Sequence, residues 1–139
     1  MAGYYVIRMD MPNGRKSDIR VSPEEMLRED EIIGISDWDD RACQEFKDAP
    51  IGAVALVRET DRAIALVKLM STCSTDYIYM NKYGMALYRH VDILKWVDDN
   101  HQPRPDLFRI TGAFRHLTNP DLEQYNYIDK LYKSYEQGN

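Results

Sequence analysis

Two apolar runs rich in small and β-branched residues, 51–57 and 63–70, constrain this sequence more than any other feature. Each run has the length of a β-strand. Residues 58–62 between them are charged or polar, as the tip of a hairpin requires. The pattern therefore predicts a β-hairpin at the centre of the chain.

Further strand signals lie on both sides of this hairpin. Aliphatic, β-branched and aromatic runs predict strands at 4–9 and 32–36 before it, and at 77–80 and 107–111 after it. Residues 86–94 also carry β-type side chains, although their pattern is mixed. Within 77–80, Tyr77 and Tyr79 would share one face, because side chains alternate along a strand.

Three helices are expected. Ser22 can act as a cap and Pro23 fits the first helical position, so a short helix should begin there and end near Asp30. A second helix should run from about Asp40 to Phe46. The last begins where asparagine precedes proline at 119–120. It carries one apolar stripe at spacings of three and four, formed by Leu122, Tyr125, Ile128, Leu131, Tyr132 and Tyr135.

This order of elements predicts one α+β domain over residues 1–136, with a tail at 137–139. Its sheet should be mixed or antiparallel and able to curl into a barrel. Short helices and the C-terminal helix should pack against that sheet.

Charge and cysteine content restrict the class of protein. The net charge of −5 counts against a general DNA-binding module, whose affinity comes largely from lysine and arginine contacts to phosphate. Cys43 and Cys73 show no metal-ligand spacing and fit two reduced thiols. The sequence has no signal peptide and no apolar stretch of membrane-spanning length, so we expect a soluble cytoplasmic protein with no membrane partner.

Catalytic motifs are not visible. The three histidines lack ligand spacing, and there is no HExxH, no GxSxG and no glycine-rich phosphate loop. The acidic run at 37–40 lacks the spacing of a calcium-binding EF-hand loop. We therefore expect no enzymatic activity, no metal and no cofactor.

Several segments resemble the EVE and YTH branch of the PUA-like fold. Domains of this type open with an aromatic and aliphatic strand that ends in a basic residue, and residues 4–8 are similar. Their second strand runs into a tryptophan that begins a short helix, and residues 33–41 are similar. Residues 52–57 and 63–68 match the glycine-led strand and its partner. The segment 108–115 and the last helix, with Tyr125, Ile128, Leu131 and Tyr132, resemble the closing part of such domains.

The resemblance implies a non-catalytic module that recognises a modified or flipped base in nucleic acid. EVE-like and YTH-like domains also serve as specificity modules of modification-dependent restriction systems of the Mcr type. This setting favours modified DNA over RNA as the ligand, and a fused or associated effector domain as the partner. A fold by itself does not fix a function, so these remain expectations.

Trp38 is the first candidate for base binding. An extruded base needs an aromatic face to stack on, together with donors and acceptors along its edge. Ser36, Asp37 and Asp39 supply a hydroxyl and carboxylates beside that indole. The alternative is a core tryptophan followed by aspartates that merely cap a helix.

A second aromatic wall is predicted from Tyr77 and Tyr79. The alternative is a half-buried sheet face, a role that tyrosine readily takes in a strand. Arginine and lysine side chains that could contact phosphate, or simply face solvent, are Arg8, Arg62, Lys68, Arg109 and Arg115.

A different class of function also fits this composition. The chain has ten tyrosines against three phenylalanines and two tryptophans. If those tyrosines lie on an acidic surface, they suit a non-catalytic protein-interaction domain. If they lie inside, tyrosine merely takes the place of phenylalanine in a small core.

Overall fold

The computed structural model of this chain describes residues 3–9, 22–36, 39–59, 62–104, 106–108 and 113–138. Six strands form one sheet: β1 (Tyr4–Arg8), β2 (Ile32–Ile35), β3 (Val54–Glu59), β4 (Arg62–Leu69), β5 (Leu87–Trp96) and β6 (Phe114–His116). Four α-helices accompany them: α1 (Pro23–Asp30), α2 (Asp40–Asp48), α3 (Met80–Tyr83) and α4 (Leu122–Glu136). Short 3-10 helices cover Asp99–His101 and Asn119–Asp121.

The sheet is a curled, mixed half-barrel with the strand order β2-β5-β4-β3-β1-β6. Only β1 and β3 pair in parallel, and the other neighbours are antiparallel. The predicted α+β class, with a curled sheet, short helices and a C-terminal helix, is therefore confirmed.

Both faces of this sheet are covered by apolar side chains. Alternate residues of β1 point to opposite sides, so Tyr5 joins one hydrophobic cluster and Tyr4 joins the other. The first cluster includes Phe46 of α2. The second cluster is covered by α4, through Ile128 and Leu131. In the described part of the chain, no helix combines the length and the apolar character needed to cross a membrane.

Local sequence signals account for most helix and strand positions. The Ser22 hydroxyl accepts from the backbone N–H of Glu25 at 3.3 Å, and α1 ends at Asp30 as predicted. The central hairpin forms from β3 and β4, although β3 begins at Val54 because the residues just before it form a turn. In the last helix, Leu122 and Tyr135 of the predicted apolar stripe are exposed, whereas Ile128 and Leu131 are buried.

One predicted strand is wrong, and a second is contradicted at its first two residues. The segment 77–80 is a turn followed by α3, since Tyr77 has a φ of 61°, which a strand cannot accommodate. Of the predicted strand at 107–111, residues 107–108 lie in a turn, and 109–112 fall outside the described residues. The next strand among the described residues is β6, which begins at Phe114.

A buried arginine joins three parts of the fold. Arg89 in β5 is only 1% exposed, and its guanidinium donates to the carbonyl oxygens of Phe46 at 2.8 Å, Ala49 at 2.6 Å and Ser71 at 2.9 Å. Burial lowers the pKa of this side chain from its usual value. Because the acceptors are backbone carbonyls, Arg89 ties the end of α2 and the start of the β4–β5 loop to β5.

A polar cluster attaches α3 to α1. The Asp30 carboxylate accepts hydrogen bonds from the Tyr83 hydroxyl and from Lys82 Nζ, the latter at 2.9 Å. The bond from Tyr83, and next the bond from Lys82, hold the pKa of Asp30 below its usual value. Burial and the neighbouring carboxylate raise the pKa of Tyr83 to about 12.

We predict that Arg89→Met lowers the free energy of unfolding by about 3 kcal/mol or more, because three carbonyls lose a buried charged donor. Guanidinium unfolding monitored by circular dichroism measures this. The matched control is Arg41→Met, whose side chain is 87% exposed and which should change stability by less than about 0.5 kcal/mol. Equal losses in the two variants would contradict the structural role of Arg89.

We predict that Asp30→Asn destabilises the fold at neutral pH and that this loss disappears in acid. A carboxyl whose pKa is depressed in the folded state contributes stability above its unfolded pKa of 3.8, and that contribution is lost as the pH falls. Urea unfolding of parent and variant between about pH 7 and about pH 2 should show the two stabilities converging. If the difference in the free energy of unfolding between parent and variant stays constant with pH, the ionised Asp30 carboxylate is not the source of this stability.

Candidate nucleic-acid interface

Two loop segments meet beside the first residues of β5. The carbonyl oxygen of Ile35, the last residue of β2, accepts from the N–H of Ala86 at 3.1 Å. Two residues later, Tyr88 pairs with Gly34 on one side and with Ser74 on the other. The segment after β2 and the loop after β4 therefore emerge on either side of β5, at one end of the sheet.

Ser36 and Asp39 lie in the first of these segments. The Ser36 carbonyl accepts from the Cys43 thiol at 3.5 Å, and an Asp39 carboxylate oxygen accepts from the N–H of Ala42 at 3.1 Å. Asp39 is therefore the N-cap of α2, as the alternative interpretation of this acidic run expects. Asp37 and Trp38, which stand between them in the chain, lie outside the described residues.

Tyr77 lies in the second segment, with its side chain at the surface. It is 59% exposed, and its neighbour Ile78 is 65% exposed. Its backbone lies in the left-handed region, at a φ of 61°. Aromatic side chains rarely adopt this conformation, and strained residues of this kind concentrate at functional sites.

Tyr79 is placed differently from Tyr77. Its ring stacks on Tyr83 with centroids 5.7 Å apart and meets the edge of Tyr88 at 4.8 Å. Tyr79 is half-buried, because these two neighbouring rings cover part of its side chain. The two tyrosines do not share a face, and Tyr77 has the ring that is open to solvent.

The contact between Asp76 and Tyr88 was not predicted from the sequence. The Tyr88 hydroxyl donates to both carboxylate oxygens of Asp76, at 2.8 and 2.9 Å. Burial and this hydrogen bond raise the pKa of Tyr88. An aspartate that also accepts from the backbone N–H two residues later, here Ile78 at 3.2 Å, is a recognisable local turn signal. That signal could have replaced the strand prediction, although it would not have found Tyr88.

The predicted phosphate contacts are not brought together in the described part of the chain. Arg8 and Arg62 lie at the end of the sheet that holds the β3–β4 turn, opposite the two loop segments. Arg62 forms an ion pair with Glu24 at 2.7 Å, which raises its pKa.

Arg115 and Lys68 lie elsewhere on the sheet. Arg115 forms an ion pair with Asp121 at 2.7 Å. Lys68 is half-buried in β4, in register with Asp92 of β5. Arg109 falls outside the described residues. The phosphate-binding role of all five side chains stays a prediction.

Side chains that could hold a metal do not converge in the described ranges, where no group of three or more His, Cys, Asp or Glu has the arrangement of a metal site. His101 is hydrogen-bonded to Asp98 at 2.6 Å, and His116 stacks on Tyr5 with ring centroids 4.5 Å apart. His90 is exposed in β5. The arrangement offers chemistry for stacking and hydrogen bonding.

Comparison with known proteins gives a likeness in fold. No protein-family model matches this sequence, and no curated protein matches it either. Among solved structures, the YTH domain of the Zygosaccharomyces rouxii MRB1 protein, determined in complex with N6-methyladenosine RNA, superposes with a TM-score of 0.53. The identity is 14%, over 94% of this chain and 86% of that one.

A second similar structure is Rpa0253 from Rhodopseudomonas palustris, with a TM-score of 0.52 and 9% identity over 88% of this chain and 90% of that one. Sequence identities this low establish a shared architecture and nothing about ligands. The chain has a YTH-like α+β fold.

Proposed function

We propose that residues 1–136 form a non-catalytic domain that binds nucleic acid by taking one modified or flipped base into a pocket. We assign the two walls of this pocket to Trp38, which stands between Ser36 and Asp39 in the sequence, and to Tyr77 in the loop after β4. Ser36 and Asp39 would bond the base edge, because a carboxylate accepts from an exocyclic amine.

The convergence of these two segments carries the proposal. Tyr88 is bonded through its backbone to Ser74 and is paired with Gly34, so a single strand residue connects both segments. Tyr77 supplies an exposed aromatic surface of the kind on which bases stack. The likeness to a YTH domain solved with N6-methyladenosine RNA makes an N6-methylated adenine the first ligand to test.

The protein-interaction alternative has less support from the placement of the tyrosines. Tyr4, Tyr5, Tyr83 and Tyr88 are buried, and only Tyr77 and Tyr135 of the ten are exposed. Most of the tyrosine excess therefore serves the core, and it does not form an aromatic surface for a protein partner.

We further propose that this domain directs an effector of a modification-dependent restriction system, in the cytoplasm, to modified DNA. The support is the resemblance of residues 33–41 and the central hairpin to EVE-like and YTH-like domains, a branch that also supplies specificity modules of such systems. Tighter binding to modified DNA than to modified RNA supports this setting, and the opposite preference contradicts it.

The binding test uses fluorescein-labelled single strands of roughly ten nucleotides, as RNA and as DNA, at low salt. Each carries adenine or N6-methyladenine at its centre, and further DNA strands carry cytosine, 5-methylcytosine or 5-hydroxymethylcytosine. By fluorescence anisotropy, the parent protein should bind at least one modified strand about tenfold tighter than its unmodified counterpart, a difference of about 1.4 kcal/mol.

Trp38→Ala should weaken that binding by about ten- to hundredfold, because a base–aromatic stack contributes about 1–3 kcal/mol. Tyr77→Ala should weaken it in the same range, and both variants should unfold at nearly the parental temperature. The matched control is Tyr135→Ala, an exposed tyrosine of α4, which should bind as the parent does. Equal affinity for modified and unmodified strands, or unchanged affinity in Trp38→Ala, would contradict the proposed pocket. The absence of binding to any strand would favour the protein-interaction alternative.

A further inference from the structure

We propose that Asp76 and Tyr88 are positioning residues that hold Tyr77 in its left-handed conformation and so set the second wall of the pocket. This inference rests on the proposed function. The inference assigns the second wall to Tyr77. Tyr79 has a supporting role, because its ring packs against the rings of Tyr83 and Tyr88.

The backbone of Tyr77 has no ordinary reason to be left-handed. Among the described residues, Glu31 is the other non-glycine residue with a positive φ, and it caps the end of α1, where that conformation is common. Tyr77 is bulky and precedes a helix. A conformation this unfavourable persists only where neighbouring contacts enforce it.

Hydrogen bonds on both sides of Tyr77 provide that enforcement. Before it, the Asp76 carboxylate is held by the Tyr88 hydroxyl and reaches over Tyr77 to accept from the N–H of Ile78. After it, the Tyr77 carbonyl accepts from the N–H of Met80 at 3.1 Å. The residue is thus fixed between two anchored neighbours, and its ring is directed to the surface.

Tyr88 is a rigid anchor for this turn. It is 4% exposed, lies within β5, and is bonded through its backbone to Ser74, with N–O distances of 2.8 and 3.1 Å. The same residue is paired with Gly34 on the strand that leads to Ser36. Tyr88 therefore anchors the turn that carries Tyr77 to the body of the sheet.

The test is a double-mutant cycle between Tyr88→Phe, which removes only the hydroxyl, and Tyr77→Ala. Tyr88→Phe should weaken binding to the preferred modified strand by about three- to tenfold, the effect of one lost hydrogen bond. In the Tyr77→Ala background it should cause no further loss, because Tyr88 acts through Tyr77. Tyr127→Phe is the control, since it likewise removes one tyrosine hydroxyl, which in this case donates to the backbone carbonyl of His101, away from this turn.

A spectroscopic measurement accompanies the cycle. In Tyr88→Phe, the Ile78 amide proton should exchange with solvent faster than in the parent, since its acceptor is no longer held. Tyr88→Phe binding as tightly as the parent, or weakening binding equally in both backgrounds, would overturn the positioning role. If the parent protein binds modified and unmodified strands equally, the proposed function is overturned instead. The exchange rate of the Ile78 amide proton then tests the positioning role by itself. Faster exchange in Tyr88→Phe would support that role, and unchanged exchange would overturn it.

Discussion

The buried guanidinium of Arg89 is the interaction on which the rest of the structure depends. An arginine this deeply enclosed is stable only if its donors are satisfied, and here three backbone carbonyls accept from it. Two of these carbonyls lie at the C-terminal end of α2, and the third, that of Ser71, lies at the start of the β4–β5 loop. One side chain thus ties α2 and the loop that carries Tyr77 to the same strand.

Two neighbouring residues of β5, Arg89 and Tyr88, make these long-range contacts. Arg89 holds the end of α2 and the start of the β4–β5 loop, whereas Tyr88 holds Asp76 farther along that loop. Two consecutive residues of one strand therefore anchor different parts of the chain. The start of β5 therefore acts as a common support for the segment after β2 and for the turn that carries Tyr77.

Local signals predicted much of the fold. Ser22 marks the start of α1, and the apolar runs with a polar turn between them predicted the β3–β4 hairpin, because caps and hairpins depend on residues close in sequence. The turn at Tyr77 was mistaken for a strand, since alternation of aromatic residues is ambiguous over four positions. Other contacts join residues that are distant in sequence, and no local pattern predicts them. Examples are the hydrogen bonds from Tyr88 to Asp76 and from Arg89 to α2.

Nuclear magnetic resonance of the two indole groups tests the proposed pocket most directly. Trp96 lies at the far end of β5, where it pairs with Ala65 and carries the Arg28 guanidinium over its ring at 4.7 Å, so it serves as an internal reference. On titration with a strand that carries the preferred modified base, the indole N–H signal of Trp38 should shift and that of Trp96 should stay in place. Shifts confined to Trp96, or absent from both indoles while the strand binds, would contradict a base pocket beside β2.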